Sequence, residues 1–243
     1  MTRAIMIAAV MTVKNEEDII EANILHLLDN GVNAVRISDH SSTDGTFDVI
    51  CDLSQRFGNA IVGDINTDPL FHQARVMNEL VADVAGQVDW VLPVDADEFV
   101  YATRGGTIRD ALSACRGDVV VMRPYLHLDW NRRIIGGENR LSKVAFRWRP
   151  GAGLKVGNHG VTGMDDAVHT LQCLDLREIK FRSYEHFRSK VALNIATLGQ
   201  FKPGDADHYR VMQGLTDQQM EAEWTEYIAR PTVDDPIPSS HPI

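Results

Sequence analysis

The sequence has few cysteines, and none are spaced to share a ligand. Only three occur among 243 residues, Cys51, Cys115 and Cys173, and no CxxC motif is present. An odd number of widely separated cysteines supports neither a zinc ribbon nor a disulfide framework. We therefore expect a protein of a reducing compartment, with a cytoplasmic location.

Long apolar runs are also missing. The mainly apolar run over residues 4–13 is shorter than the roughly 18 residues of a membrane span. It has no convincing signal-peptide cleavage site and leads directly into the charged start of a helix. We expect a buried first strand and no transmembrane segment.

Positive charge is scarce overall but unevenly distributed. The chain has 24 Lys and Arg against 34 Asp and Glu, which makes binding of duplex nucleic acid or an anionic membrane unlikely. Residues 1–100 hold 17 acidic and five basic side chains, whereas residues 101–200 hold nine and 16. This distribution suits metal-binding carboxylates in the first part and anion-binding side chains in the middle; ordinary solvated surface charge is the alternative.

Apolar runs alternate with segments of helical periodicity over roughly the first 95 residues. The predicted strands are 4–13, 34–38, 60–64 and 90–94, and the predicted helices are 17–30, 45–57 and 70–85. This order predicts an α/β fold with a doubly wound, mainly parallel sheet flanked by helices. Ligands of such sheets bind at the carboxyl ends of the strands.

The pattern changes after residue 100. We predict a helix over 108–115, strands over 118–126, 144–148 and 171–181, a helix from Ser183 to about Leu198, and one or two helices over 205–229. The proline-rich last 13 residues are predicted to be extended or disordered.

Three acidic residues follow the fourth predicted strand. In WVLPVDADEFV, residues 90–100, these are Asp95, Asp97 and Glu98. Neighbouring carboxylates repel each other without a cation, and carboxylate oxygens are the ligands of hard divalent ions. Acidic loops after strands are common, but this position at the end of a buried strand favours a site for Mn²⁺ or Mg²⁺.

A polar turn follows the second predicted strand. In VRISDHSSTDGT, residues 35–46, Asp39 is placed to hydrogen-bond a ribose hydroxyl or a base N–H. No GxGxxG follows the first strand, where TVKNEED stands instead, so we expect no nicotinamide or flavin cofactor. The alternative for STDG is an ordinary turn and helix cap.

Together these segments resemble a known family. The runs TVKNEEDIIEANILHLLDNGVNAVRISDHSSTDGT, FHQARVMNELV and DWVLPVDADEFV, with the later GNH and RSxExF segments, are similar to family 2 glycosyltransferases of GT-A fold, in a small bacterial branch. The resemblance spans roughly residues 5–195. It implies a GT-A domain over 1–200, with a nucleotide-binding half over 1–100 and an acceptor half over 101–200. A C-terminal helical extension over 201–230 and a flexible tail over 231–243 follow.

The resemblance also implies how a nucleotide is held. Val13, Asn15 and Glu16 would border the base, Asp39 would contact uracil or ribose, and Arg75 would approach the donor phosphates or ribose. Asp44, in the turn, is expected to be mainly structural.

A metal site is implied as well. Asp95 would touch the ribose and the metal shell, Asp97 would ligate Mn²⁺ or Mg²⁺, and His159 of GNH would be the third ligand. Glu98 would orient Asp97 or accept from the acceptor sugar. The family tends to place a histidine near Glu178, which this chain lacks. Three alternatives follow: Glu178 replaces it, His186 serves, or the two aspartates suffice.

An inverting transfer also requires a general base. The resemblance favours Asp166, ahead of its neighbour Asp165 and of Glu185 at the start of the helix capped by Ser183. Two or three of the eight basic residues between 123 and 155 are expected to face a diphosphate or an anionic acceptor: Arg123, Arg132, Arg133, Arg140, Lys143, Arg147, Arg149 and Lys155.

The expected function is metal-dependent, inverting glycosyl transfer from a nucleotide sugar, with a UDP-sugar favoured. The acceptor would be a glycan, a lipid-linked molecule, a protein or a small molecule. Two alternatives remain: a noncatalytic nucleotide- or glycan-binding module, and another metal-dependent nucleotide-sugar enzyme such as a hydrolase or nucleotidyltransferase. Nucleotidyltransferases on related sheets usually have a Gly-rich loop after the first strand, and TVKNEED is not such a loop.

Overall fold

A computed structural model describes residues 3–70, 72–138, 141–171, 173–197 and 207–238. These residues form two compact units. Unit 1 comprises the described residues of 3–125, 138–178 and 237–238, and unit 2 comprises those of 126–137 and 179–236. The domain boundaries expected from the sequence remain predictions.

The described residues contain seven α-helices and fourteen strands. The helices are α1 (Ile20–Asp29), α2 (Thr46–Phe57), α3 (Gln73–Asp83), α4 (Ile108–Ala114), α5 (Tyr184–Thr197), α6 (Asp207–Met212) and α7 (Asp217–Ile228). The strands are β1 (Ile7–Val13), β2 (Ala34–Asp39), β3 (Ile61–Ile65), β4 (Trp90–Pro93), β5 (Glu98–Ala102), β6 (Val119–Met122), β7 (Pro124–His127), β8 (Arg132–Glu138), β9 (Lys143–Arg147), β10 (Gly153–Leu154), β11 (Val161–Thr162), β12 (His169–Leu171), β13 (Leu174–Glu178) and β14 (Thr232–Asp234). No helix among these residues is both long and apolar enough to cross a bilayer.

Unit 1 is built on a seven-stranded sheet in the order β12-β6-β9-β4-β1-β2-β3. The adjacent strands β4, β1, β2 and β3 are all parallel, and β12 is parallel to β6. Strand β9 is antiparallel to both β4 and β6. The predicted α/β class, with a mainly parallel sheet flanked by helices, is therefore confirmed.

The core of unit 1 surrounds strand β1. Residues 7–11 are completely buried, and because successive side chains of a strand point to opposite faces, both faces of the sheet are covered. On one face, Met77, Leu80 and Val81 of α3 pack against Ala8, Val10 and other buried strand residues. Burial on both faces explains why β1 is an almost continuous apolar run.

Unit 2 has its own apolar cluster. Its buried members are Ile134, Phe181, Phe187, Val191, Tyr209 and Tyr227. Helix α5 begins after Ser183, whose Oγ accepts a hydrogen bond from the His186 N–H at 3.1 Å, as expected for a helix cap. Strand β14 pairs antiparallel with β8, so the segment predicted to be extended or disordered includes a paired strand.

Several elements differ from the sequence prediction. The strand predicted over 118–126 is two strands, β6 and β7, and the one predicted over 171–181 is replaced by β12 and β13. Strands β5 and β8 were not predicted. Strand β8 carries Gly136 and Gly137, and such glycine-rich segments are typical of loops.

Candidate functional site

The loops after β1 and β2 are joined into one surface. The Thr43 N–H donates to Asn15 Oδ1 at 2.8 Å, and the Glu16 N–H donates to Thr46 Oγ1 at 2.8 Å. Asn15 adopts a left-handed backbone conformation, with φ of +56°, which asparagine tolerates better than most residues. Of the predicted base-binding residues, Val13 therefore ends β1, and Asn15 and Glu16 lie in the following loop, which the neighbouring loop supports.

Asp44 has a structural position in this loop pair. Its carboxylate accepts hydrogen bonds from the Thr46 N–H at 3.0 Å and from the Glu17 N–H at 3.3 Å. These bonds hold the turn before α2 in place.

Asp39, the last residue of β2, has a buried carboxylate oxygen without a partner. Val13 of β1 is its neighbour in the sheet register, and the residue is 1% exposed. Its Oδ1 accepts from the Ser42 N–H at 2.6 Å. Its Oδ2 has no hydrogen-bond partner among the described residues. Because an unsatisfied buried acceptor costs about 1–3 kcal/mol, Oδ2 suits a donor group supplied by a ligand.

The acidic segment after β4 surrounds a buried lysine. Lys143, the first residue of β9, has its Nζ 2.7 Å from Asp95 Oδ2 and 3.2 Å from Glu98 Oε1. The Asp95 N–H donates to Glu98 Oε2 at 2.9 Å. The Lys143 side chain is only 7% exposed, so this ammonium is enclosed between two carboxylates.

The charged groups of this cluster shift one another's pKa. Burial alone would lower the pKa of Lys143, but the carboxylates of Asp95 and Glu98 outweigh it and raise that pKa well above its usual value. Burial, and then the charge of Asp95, raise the pKa of Glu98 to about 8, although Lys143 opposes the rise. The cluster therefore contains a permanent cation next to the predicted metal ligand Asp95.

The acidic segment is fixed by neighbouring elements of unit 1. Asn23 of α1 donates its Nδ2 hydrogen to the Glu98 carbonyl at 2.7 Å, and Asp97 is 4% exposed. In the antiparallel pair of β5 and β13, Glu98 lies directly opposite Glu178. The structure thus brings Glu178, one of the alternatives for the missing family histidine, to the acidic segment.

His159 lies beside the same cluster. Its Nδ1 is 2.9 Å from the carbonyl oxygen of Ser142, the residue before Lys143. A carbonyl only accepts, so Nδ1 carries the proton and Nε2 keeps its lone pair. Burial lowers the pKa of His159, which favours the neutral form that ligates metals.

The loop before His159 is held by two amide side chains of α3. The Gly157 N–H donates to Gln73 Oε1 at 3.0 Å. Asn78 accepts from the Leu154 N–H at 2.8 Å and donates to its carbonyl at 3.0 Å. Gln73 and Asn78 were missed from the sequence, where they are two of several polar residues on an amphipathic helix and nothing local distinguishes them.

The GNH segment depends on its glycine and buries its asparagine. Gly157 has φ of +75°, and a Cβ there would lie 2.5 Å from His159 Nε2. Asn158 is 1% exposed, and neither its Oδ1 nor its Nδ2 has a hydrogen-bond partner in the described part of the chain. Asn158 is thus a second buried polar side chain available to a ligand.

We expect Asn78→Leu to destabilise the protein by about 1–3 kcal/mol, because it leaves the N–H and carbonyl of Leu154 without their partner. Urea denaturation of the variant and the wild type measures this loss. Asn59→Leu is the matched control, since the Asn59 side chain makes no hydrogen bond to any described residue. Equal losses in both variants would contradict the role of Asn78.

Arg75 lies in the first turn of α3 and is ion-paired. Its guanidinium contacts Asp68 at 2.7 Å and Glu79 at 2.9 Å, and its side chain is about half exposed. The predicted contact with donor phosphates would require the guanidinium to exchange one of these partners.

Asp166, the favoured general base, lies at the other edge of the sheet. It is ion-paired with Arg149 and is 82% exposed. Trp148, the residue before Arg149, donates its N–H to the carbonyl of Asp89 at 3.0 Å. Asp89 immediately precedes β4. Asp95 follows the opposite, carboxyl end of that strand. The structure therefore does not bring Asp166 together with Asp95, because antiparallel β9 carries residue 149 to the amino-terminal end of β4.

Asp166→Asn is accordingly expected to reduce transfer by less than about threefold, since only an exposed ion pair is lost. Initial rates of transfer for Asp166→Asn and the wild type provide the measurement. A loss of a hundredfold or more would restore Asp166 as the base.

Glu185 and His186 lie in unit 2. Glu185 is in the first turn of α5, and His186 Nε2 is 2.8 Å from an Arg182 nitrogen.

Most of the basic residues predicted to bind anions have structural partners. Arg132 and Arg133 pair with Asp129 and Asp235. Arg147 bonds the carbonyls of Gly117 and Cys115. Arg140 lies outside the described residues. Of the seven that lie in the described part of the chain, Lys143 is the one placed within the acidic cluster.

The acidic segment and His159 offer an incomplete set of ligands for a divalent ion. Among the described residues, no group of three or more His, Cys, Asp or Glu side chains is arranged to hold a metal, so Asp95, Asp97 and His159 do not form a complete protein cage. One Asp95 oxygen is engaged by Lys143, yet its side chain is 35% exposed. These residues fit an ion held by one or two carboxylates that completes its shell with water and phosphate oxygens.

Comparisons with known proteins give structural likenesses only. No family model and no curated protein matches the chain. The mannosyltransferase PcManGT from Pyrobaculum calidifontis, solved with GDP-Man and Mn²⁺, is 14% identical over 94% of this chain and 71% of its own, with a TM-score of 0.49. S. aureus TarS 1-349 in complex with UDP-GlcNAc is 11% identical over 92% and 71% of the two chains, with a TM-score of 0.47.

Other matches cover less. A second structure of S. aureus TarS 1-349 matches 58% of this chain at 14% identity and a TM-score of 0.43, and this chain spans 47% of that one. At these identities and TM-scores, the matches do not indicate what this chain does.

Proposed function

We propose that this chain is a metal-dependent glycosyltransferase that transfers a sugar from a nucleotide-sugar donor, with a UDP-sugar favoured, to an acceptor hydroxyl. The observation that carries the proposal is one edge of the unit 1 sheet. There, Asp39 ends β2 with an unsatisfied buried oxygen, and the acidic segment that contains Asp97 follows β4, with Lys143 between the carboxylates of Asp95 and Glu98. Strands β2 and β4 are parallel to β1 and lie on either side of it. A nucleoside diphosphate offers a hydrogen-bond donor to Asp39. Its phosphate groups would lie at the cluster that contains Lys143.

The loops after β1 and β2 would bind the nucleoside. Asp39 Oδ2 would accept from a base N–H or a ribose hydroxyl, which removes the cost of leaving that oxygen unsatisfied. Val13, Asn15 and Glu16 would border the base. Asp95, whose side chain is partly exposed, would reach the ribose.

The acidic cluster would hold the diphosphate end. Asp95, Asp97 and His159 Nε2 are the groups that would hold Mn²⁺ or Mg²⁺, which would stabilise the charge developing on the departing diphosphate. Lys143 is fixed by two carboxylates, and such a preorganised cation needs no reorganisation during the reaction. Asp95 would thus be held in one orientation before the donor binds.

The acceptor hydroxyl must lose its proton as the new bond forms. Because Asp166 is ion-paired at the other edge of the sheet, we do not assign it this role, and Glu185 stays the sequence-based candidate for the base of a direct, inverting displacement. The acceptor would be a glycan, a lipid-linked molecule, a protein or a small molecule.

A thermal-shift screen with UDP, GDP and their sugars, with and without Mn²⁺, tests donor binding. A nucleotide at about 100 times its dissociation constant is expected to raise the melting temperature by about 5–10 °C. The shift should be smaller in Asp39→Asn, whose amide presents hydrogens to the ligand's donor, and unchanged in the exposed control Asp52→Asn. No shift with any nucleotide would overturn the proposal, and binding without turnover over a broad acceptor panel would identify a noncatalytic module.

A further inference from the structure

A cavity in unit 1 is lined by none of the residues assigned above. Its volume is about 380 Å³, and it is lined by the end of β5 and the turn after it, by α4 and the two residues that follow it, and by the segment around β12. Cys115 and Cys173 both line it, as do Arg104 and Arg116. Neither arginine has an ion-pair partner within the described ranges.

Backbone contacts bring the two cysteines together from distant parts of the sequence. Gly117, two residues after Cys115, packs so closely on Thr170 that a Cβ there would lie 2.1 Å from Thr170 Oγ1. On the other side, the Thr103 N–H donates to the Cys173 carbonyl at 3.2 Å. Cys115 Sγ lies 3.9 Å from the Gly117 carbonyl oxygen, its thiol interacts electrostatically with that of Cys173, and both side chains line the same cavity.

We propose that Cys115 and Cys173 form an oxidisable dithiol, and that the cavity admits an anionic low-molecular-weight disulfide that converts it to an intramolecular disulfide. The Cys115 thiolate attacks the small disulfide, forms a mixed disulfide and releases one thiol. Cys173 then loses its proton and attacks the Cys115 sulfur, which releases the second thiol. In sum, two protein thiols are oxidised and one small disulfide is reduced to two thiols.

The surroundings set the character of this reaction. Arg104 and Arg116 outnumber the one carboxylate on the cavity wall, Asp110, and this excess of positive charge favours an anionic disulfide over a neutral one. Burial, and then the neighbouring Cys115, raise the pKa of Cys173 to about 12. The second step is therefore expected to be slow at neutral pH and to accelerate as the pH rises, because the thiolate is the nucleophile.

The test uses the fully reduced chain and oxidised glutathione at pH 8. Thiols are counted after denaturation, and disulfides are located by peptide mapping without reductant. The three thiols of the wild type are expected to fall to one, with a single cross-link between Cys115 and Cys173. Cys51→Ser should form the same cross-link, whereas Cys173→Ser should stop at a mixed disulfide on Cys115.

Circular dichroism confirms that each variant is folded. Three free thiols after prolonged incubation, or a modification confined to Cys51, would overturn the proposal. A cross-link that forms equally fast in urea would also overturn the proposal, because the fold would then contribute nothing to the rate of oxidation. In the double variant Arg104→Ala, Arg116→Ala, the rate with oxidised glutathione should fall about tenfold and the rate with neutral hydroxyethyl disulfide should stay the same. Equal rates with both disulfides would remove the arginines from the proposal.

Discussion

Lys143→Met is expected to lower the free energy of unfolding by about 3–5 kcal/mol, because it removes the cation from a buried ion-pair cluster. Asp95 and Glu98 would then face each other without the ammonium that lies 2.7 Å from one and 3.2 Å from the other. Where the variant remains folded, transfer should fall by about 10²- to 10³-fold, since Asp95 loses its fixed orientation. Urea denaturation and initial-rate measurements check the two effects.

Lys155→Met is the matched control for stability. It makes the same change at an exposed lysine that has no ion pair among the described residues, so we expect a change within about 0.5 kcal/mol. If Lys143→Met were as stable as Lys155→Met, the cluster around Lys143 would not contribute to folding in the way its geometry indicates.

Asp97→Asn is expected to reduce transfer by about 10³-fold, and to abolish the increase in nucleotide affinity produced by Mn²⁺. The substitution keeps the size of a side chain that is 4% exposed but removes the negative charge proposed to hold the ion, a contribution of several kcal/mol. Calorimetric titration of UDP with and without Mn²⁺ separates this effect from a general loss of structure.

Asp52→Asn makes the same chemical change on the exposed surface of α2, where Asp52 pairs with Arg56 at 3.2 Å. It should keep both the metal effect and the transfer rate. An Asp97→Asn protein in which Mn²⁺ still raises the affinity for UDP would refute the assignment of Asp97.

Much of the sheet could be predicted from local patterns. Strands buried on both faces are continuous apolar runs, and the helices between them have helical periodicity, so β1 to β4 and α1 to α3 lie within a few residues of their predicted bounds. Because the carboxyl ends of parallel strands meet at one edge, the same patterns predicted that Asp39 and Asp95 would share that edge.

Other parts of the site depend on pairings between distant segments. Antiparallel β9 lies between β4 and β6, which puts Lys143 at the acidic cluster and carries Arg149, with its partner Asp166, to the opposite edge. The register of β5 and β13 places Glu178 across from Glu98. No local period reports such a register, because it is decided by which side chains pack together after the chain has closed long loops.

The sequence alone thus determined the fold class, the order of the first strands and the acidic residues at their ends, since all of these follow from local periodicity and turn chemistry. Only the tertiary structure decided which charges meet. It placed a buried ammonium between two carboxylates and brought the amide side chains of α3 to the GNH loop. It also placed Cys115 and Cys173 at one cavity. Each of these contacts joins residues far apart in the sequence, and packing and strand pairing select them.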